Sequence, residues 1–290
     1  MLPSFLIIGS MKSGTTTLYS DLATHPKIWL PEVKEPDGLL PQNYSDSRRW
    51  AKYQSLFTPC PNGMLTGEAS TSYTKLPTYQ GVPENARALL GEQLRVIYLV
   101  RDPIARAVSH HDFLYRLGHM PQSADQTLVH DRTLVEYSNY QMQLGAWLKV
   151  LPREQIAVIP FEEYITNREG VFARTCRFLN IEATPLQHGQ VAKNQSNQLK
   201  PLPSPLRVIR DSKAYLWLHE KLPGSKRSKM AWIRNRIPSF SKPLSIPFSA
   251  EGEKQIADEL LVPITEFCQE WNLPTTLWPR LFSHDNTRTT

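Results

Sequence analysis

The sequence predicts an α/β fold, with a central and mostly parallel β-sheet flanked by helices. Three observations carry that expectation. Short apolar runs rich in β-branched and aromatic residues recur at residues 5–8, 94–100 and 156–160, and segments of helical periodicity separate them. A turn containing glycine follows the first run and opens directly into a helical pattern. The 290 residues can bury a full core and show no abrupt shift of composition, so one domain over residues 1–290 is expected. Its variable part is placed at about 187–247.

Residues 5–8 form the first strand. The run is four residues long and follows no basic segment, so it reads as buried strand, not as a signal peptide or a membrane anchor. Residues 15–24 follow as a helix whose Leu18 and Leu22, at i and i+4, face the sheet. A short second strand is expected at 27–30, ended by Pro31. Residues 94–100, LRVIYLV, are too short for a buried helix and make a central strand. Asp102 then serves as N-cap and Pro103 as the first residue of a helix that runs to about Leu117 before Gly118. A helix at 134–150, a strand at 156–160 and a helix at 162–179 come next. The proline-rich residues 187–205 read as a surface loop, 206–222 as a helix and 223–247 as an irregular basic stretch. Residues 250–271 make a last amphipathic helix, broken or bent at Pro263.

Composition excludes several classes. With 40% hydrophobic and 21% charged residues the chain is ordinary globular protein and not a disordered one. No stretch approaches the length of a membrane span. The cysteines Cys60, Cys176 and Cys268 are odd in number, far apart and without a CxxC pair, which points to a reducing, cytoplasmic setting and to no zinc site. A net charge of +6 favours an anionic partner without naming it. The basic residues Lys226, Arg227, Lys229, Arg234 and Arg236, with Trp217 and Trp232 nearby, could stack and neutralise a nucleic acid. A solvated face with two core tryptophans explains the same residues, and no nucleic-acid partner is expected.

Residues 5–18, FLIIGSMKSGTTTL, are the most informative. A strand, a turn with Gly9 and Gly14, and a helix aim backbone N–H groups and a helix N-terminus at an anion. The Gly9-x-x-x-x-Gly14 spacing matches a Walker A loop, yet Thr15 stands where that motif needs lysine and the lysine is Lys12, inside the loop. A kinase or NTPase using ATP and Mg²⁺ therefore rests on glycine spacing alone. The loop suits one 5′-phosphate with a leaving-group bond beside it, and the candidate contacts are Ser10, Lys12, Ser13, Gly14, Thr15, Thr16 and Thr17.

Gly9-x-x-Lys12-x-Gly14-Thr15-Thr16-x-Leu18 resembles the 5′-phosphosulfate loop of the sulfotransferase family that uses 3′-phosphoadenosine-5′-phosphosulfate (PAPS). Tyr98-Leu-Val-Arg101-Asp-Pro103-x-x-Arg106-x-x-Ser109 is similar to that family's 3′-phosphate motif. A guanidinium can hold a phosphate bidentately and a hydroxyl two helical turns on can donate to the same group, so the resemblance implies Arg101 and Ser109 as ligands. Arg106 reads equally as a ligand or as half of a helix-surface ion pair. Ser138-x-Tyr140, Trp147-Leu148, Phe161-Glu162-Glu163-Tyr164 and Arg177-Phe178-Leu179-Asn180 resemble the family's scaffold. The fold so implied is P-loop-NTPase-like.

Lys34-Glu35-Pro36 resembles the segment that carries the general base in the bacterial and heparan-sulfate-type branch, which makes Glu35 the base here. The branch often continues with His and two Phe, whereas this chain has Asp37, Gly38, Leu39 and Leu40. Gly67-Glu68-Ala-Ser-x-Ser-Tyr73 is similar to another active-site segment, with Ala69 where some glycan-modifying members carry lysine. The first departure counts against a carbohydrate-type acceptor pocket, and the loss of a cation at Ala69 against a heparan-like polyanion. Glu68 is the runner-up base, more naturally a carboxylate packed in a turn by structural hydrogen bonds. His110 and His111 are further acid–base candidates, read mainly as helix-surface or phosphate-contacting residues. The resemblance implies in-line transfer without a metal, Glu35 taking the proton of a hydroxyl or amine on a carbohydrate or small natural product and Lys12 stabilising the departing 3′,5′-bisphosphate, PAP. Residues 226–236 are expected to border the site as a lid or acceptor-side loop.

Overall fold

The computed structural model describes residues 2–186 and 245–284. In chain order its elements are β1 (Phe5–Gly9), α1 (Thr15–Leu22), β2 (Ile28–Trp29), α2 (Pro41–Tyr44), α3 (Ser47–Ser55), β3 (Leu65–Ala69), α4 (Val82–Leu90), β4 (Arg95–Val100), α5 (Pro103–Leu117), α6 (Ala124–His130), α7 (Thr133–Glu136), α8 (Tyr140–Leu148), β5 (Ile156–Pro160), α9 (Phe161–Thr166), α10 (Arg168–Phe178), α11 (Ala250–Glu270) and α12 (Pro279–Phe282). The five strands form one sheet in the order β2-β3-β1-β4-β5, and every pairing is parallel.

Side-chain alternation explains why the strand segments are apolar without a break. Leu6 and Ile8 of β1 with Val96, Tyr98 and Val100 of β4 enter one core, packed with α4, α5, α8 and α11. Phe5 and Ile7 with Ile97 and Leu99 enter a second core against α1 and α10. A parallel sheet covered on both faces needs apolar residues at both parities. The chain leaves β1 toward β2 and β3 on one side and crosses to β4 on the other. That reversal opens a crevice at the carboxyl ends of β1 and β4, the usual place for a ligand in an open α/β sheet.

Asp102 caps α5 as expected, its Oδ1 accepting from the amides of Ile104 and Ala105 at 3.0 Å each. Several expectations need correction. The helix expected at 134–150 is two helices, because Asn139 caps a fresh start at α8 by accepting from the Met142 amide at 3.0 Å. The helix expected at 162–179 is likewise restarted at Asn167, which accepts from the Gly170 amide. Helix α11 runs on through Pro263 without a break. Strand β3 was not anticipated: Leu-Thr-Gly-Glu-Ala lacks a β-branched apolar run and is fixed by pairing with β1 on one edge and β2 on the other. Gly67 is needed there, since a side chain would overlap the Phe5 ring. The expectations for residues 187–205, 206–222 and 226–236 fall outside the described residues. Among the described residues no helix is long and apolar enough to cross a membrane.

Candidate active site

The loop after β1 is shaped by backbone more than by side chains. Gly9 has φ +148°, and a Cβ there would overlap the Thr74 hydroxyl. Gly14 has φ +88°, and its Cβ would lie 2.8 Å from the Phe161 ring, so only glycine fits both positions. Ser10 and Ser13 are buried and share a 2.6 Å hydroxyl hydrogen bond, while the Ser10 amide donates to Leu99 O at 2.6 Å. Both serines brace the loop from within. Gly14 is the N-cap of α1, and no side chain caps the helix, so the first turn, with Thr15, Thr16 and Thr17, has the uncapped helix N-terminus that suits an anion.

Arg101 ends β4 beside this loop. Its guanidinium lies over the Phe161 ring, 5.0 Å from the centroid, and donates to Lys12 O at 3.4 Å. Phe161 therefore touches both phosphate-binding candidates. The Tyr140 hydroxyl accepts from the Arg101 amide at 3.2 Å and donates to the Arg101 carbonyl at 2.6 Å, holding the strand end from both sides. Ser109 is half-buried on α5.

Cations converge on the crevice. Lys12 has φ 73° and its Nζ lies 4.6 Å from the centroid of the Phe113 ring. Burial lowers its pKa, Asp112 opposes that shift and Arg101 adds to it. Arg106 corrects the helix-surface reading: it is fully buried, and its Nε and Nη2 donate to Ser138 Oγ at 2.6 Å and Leu134 O at 2.7 Å. It braces α5 against α7 and α8. His110 and His111 are also buried, not on the helix surface. His111 bonds the Pro121 carbonyl through Nε2 at 3.0 Å. His110 stacks on Tyr137, and burial together with Arg106, Lys75 and Lys12 pushes its pKa well down, so it is neutral.

Carboxylates gather beside the carboxyl end of β3. Glu35 and Asp37 adopt left-handed backbone at φ 57° and 55°, a conformation that costs a non-glycine residue about 1 kcal/mol or more. The Glu35 amide donates to Ala69 O at 2.9 Å. Its Oε2 accepts from the Thr71 amide at 2.6 Å and the Thr71 hydroxyl at 3.0 Å, and Oε1 pairs with Lys34. The Glu35 side chain is 35% exposed, so it is not sealed in the core. Glu68 differs. It is fully buried on β3, accepts from Ser70 Oγ at 2.9 Å and Tyr53 Oη at 3.4 Å, and burial raises its pKa to about 8. Its structural hydrogen bonds are as expected, but they form on a strand and not in a turn, and burial favours its protonated form. Burial first, then the Glu35 charge, raises Asp37 as well.

The 3₁₀ turn Thr71–Thr74 ties Glu35 to the end of β1. Thr71 holds Glu35, and Thr74 Oγ1 donates to Ile8 O at 2.9 Å under the phosphate loop. Lys75 closes that turn, its pKa lowered by burial against the pull of Glu35 and Asp37. Sequence reasoning missed Thr71, Lys75 and the bracing role of Tyr140, since each acts on a residue far away in the chain. Among the described residues no cluster of three or more His, Cys, Asp or Glu could hold a metal ion.

The family model of the sulfotransferase domain matches residues 2–202, which include the loop after β1 and the strand end that carries Arg101. The chain belongs to the PAPS-dependent sulfotransferase family. A membrane-associated sulfotransferase of Dictyostelium discoideum is 36% identical over 115 residues, 39% of this chain and 23% of the relative. The human heparan sulfate glucosamine 3-O-sulfotransferase 3B1 is 27% identical over 192 residues, 62% of this chain and 47% of the relative. The chain thus spans less than half the length of these two sulfotransferases. A sulfotransferase structure from Alicyclobacillus acidocaldarius superposes with a TM-score of 0.67 at 18% identity, over 96% of this chain and 99% of the other, and a mouse sulfotransferase complexed with PAP with a TM-score of 0.51 at 15% identity, over 97% and 89%. At these identities the likeness concerns the fold, which is the P-loop-NTPase-like fold expected.

Proposed function

We propose that this sulfotransferase moves the sulfuryl group of PAPS to a hydroxyl or amine of a carbohydrate or small-molecule acceptor, with Glu35 as general base and Lys12 as the cation at the leaving group. The observation that supports this reading is that Glu35 is tied through the 71–74 turn to the end of β1, the strand that leads into the Lys12 loop. The mouse relative's complex with PAP supports the donor. The family match leaves the ATP and Mg²⁺ alternative with only its glycine spacing.

In this reading the amides after Gly14 and the hydroxyls of Thr15, Thr16 and Thr17 hold the 5′-phosphate, while Arg101 and Ser109 hold the 3′-phosphate. Ser10 and Ser13 keep the loop in shape. The acceptor heteroatom attacks sulfur as its proton passes to Glu35; the bond from sulfur to the bridging oxygen breaks, and PAP leaves with charge that Lys12 and the α1 amides stabilise. Glu35 must release Lys34 from Oε1 to face the acceptor, whereas Thr71 keeps Oε2 in place. The human relative acts on heparan sulfate glucosamine by its name. Ala69 and the Asp37-Gly38-Leu39 departure argue for a less anionic acceptor here.

The test is transfer of ³⁵S-labelled sulfate from PAPS to a panel of neutral sugars, glycosaminoglycans, phenols and amines. Label should move to a neutral or weakly charged acceptor without added Mg²⁺. Magnesium-dependent turnover of ATP, with no transfer from PAPS to any class, would contradict the reading.

A further inference from the structure

Residues 245–284 lie beyond the 2–202 family match, yet they reach the strand end that carries Arg101. The Asp102 carboxylate is divided between two helices. Its Oδ1 caps α5, and its Oδ2 accepts from the Arg280 and Leu281 amides at 3.0 and 3.3 Å in the first turn of α12. Glu162 makes a second bridge. Its Oε1 accepts from the Asp102 amide at 2.9 Å and its Oε2 from the Trp278 indole at 3.2 Å. Tyr140 makes the third, because the hydroxyl that grips Arg101 belongs to a ring packed 5.7 Å from both Phe267 and Trp278. Trp278 and Leu281 are fully buried, and Arg280 pairs with Glu253 to fasten α12 to α11.

We propose that residues 278–282 form a clamp that sets Arg101 for the 3′-phosphate, with Asp102, Glu162 and Tyr140 as positioning residues. The inference rests on the reading of Arg101 as the 3′-phosphate ligand. If the segment undocked, one Asp102 oxygen, one Glu162 oxygen and two amides of α12 would lose their partners. Docking and the geometry of the strand end are therefore one cooperative unit. A guanidinium steadied by one ring face and one carbonyl depends on a fixed backbone to meet a planar group of phosphate oxygens.

The experiment is calorimetric titration of the full chain with PAP and with AMP, which lacks the 3′-phosphate. Wild type is compared with Arg101→Ala, Tyr140→Phe, Trp278→Phe and Glu162→Gln. Arg101→Ala should abolish the preference for PAP. Tyr140→Phe keeps the ring and removes its hydroxyl, Trp278→Phe keeps an aromatic group but removes the indole N–H and part of the ring, and both should weaken PAP binding about three- to tenfold with AMP affinity unchanged. Glu162→Gln leaves the aromatic stack intact and gives the same comparison if Trp278→Phe folds poorly. The clamp is overturned if Arg101→Ala loses the preference while the other three keep PAP affinity within about twofold of wild type, or if they lose PAP and AMP equally. Wild-type protein that binds PAP and AMP alike would instead overturn the reading of Arg101 itself.

Discussion

The wall that carries Lys12 and Arg101 and the wall that carries Glu35 are built by different means. On the first, the shape comes from glycine backbone, an uncapped helix and residues close in sequence: Gly9, Lys12 and Gly14 act within one turn. On the second, Glu35 is held by Ala69 and Thr71, and Glu68 by Tyr53 and Ser70, across loops and strands. On the first wall burial depresses the pKa of Lys12; on the second it raises the carboxyls of Asp37 and Glu68. A site of this kind needs fixed donors for an invariant donor molecule, and a wall that can vary for the acceptor.

The comparison sharpens first at Lys12. Lys12→Ala should lower kcat by about 10²-fold or more, since its charge meets the leaving group in the transition state, and a variant with near-normal turnover would remove Lys12 from the chemistry. Because burial lowers its pKa, kcat/KM for PAPS should fall, as pH rises, earlier than an ordinary lysine would allow. Next comes Arg101. Arg101→Ala should weaken PAP binding about tenfold or more with kcat at saturation changed far less, because the 3′-phosphate does not react. A kcat loss without an affinity loss would move Arg101 to the reacting centre.

A smaller effect is expected at Thr71, whose hydroxyl steadies Glu35 at 3.0 Å. Thr71→Val should reduce kcat about three- to tenfold at unchanged PAP affinity, and Thr71→Ser should restore it. Loss of PAP affinity instead would assign the turn to the donor wall. The smallest effect on turnover belongs to Glu68, and its signature is stability. Its folded pKa of about 8 exceeds the ordinary 4.5, so the folded state binds the extra proton between those values. Stability from this group is present below about pH 4.5 and is lost as pH rises toward about 8. Chemical denaturation across that range should fall more steeply for wild type than for Glu68→Gln; parallel slopes would mean that Glu68 is ionised when folded.

The same contrast governs what the sequence discloses. The first and central strands, the glycine turn into α1 and the Asp102 cap were legible because each works through neighbours in the chain. Strand β3 was not, since Gly67 and Glu68 are poor strand formers that become strand only between β1 and β2. The burial of Arg106, read equally as a ligand or a surface ion pair, and of His110 and His111, read as helix-surface or phosphate-contacting, was hidden because helical spacing says nothing about α7 and Ser138 closing over α5. The role of Asp102 at α12 is hidden for the same reason: its second partner comes from a segment near the other end of the chain.

The claim on which the rest depends is that Glu35 takes the acceptor proton from a place independent of donor binding. Glu35→Gln keeps the side chain's shape and removes its basicity, so PAP affinity by calorimetry and labelled-sulfate turnover should be measured on the same preparation. The account predicts PAP affinity within about twofold of wild type and a kcat lower by about 10²-fold or more. Nearly full turnover in Glu35→Gln, with PAP bound as tightly as by wild type, would contradict it.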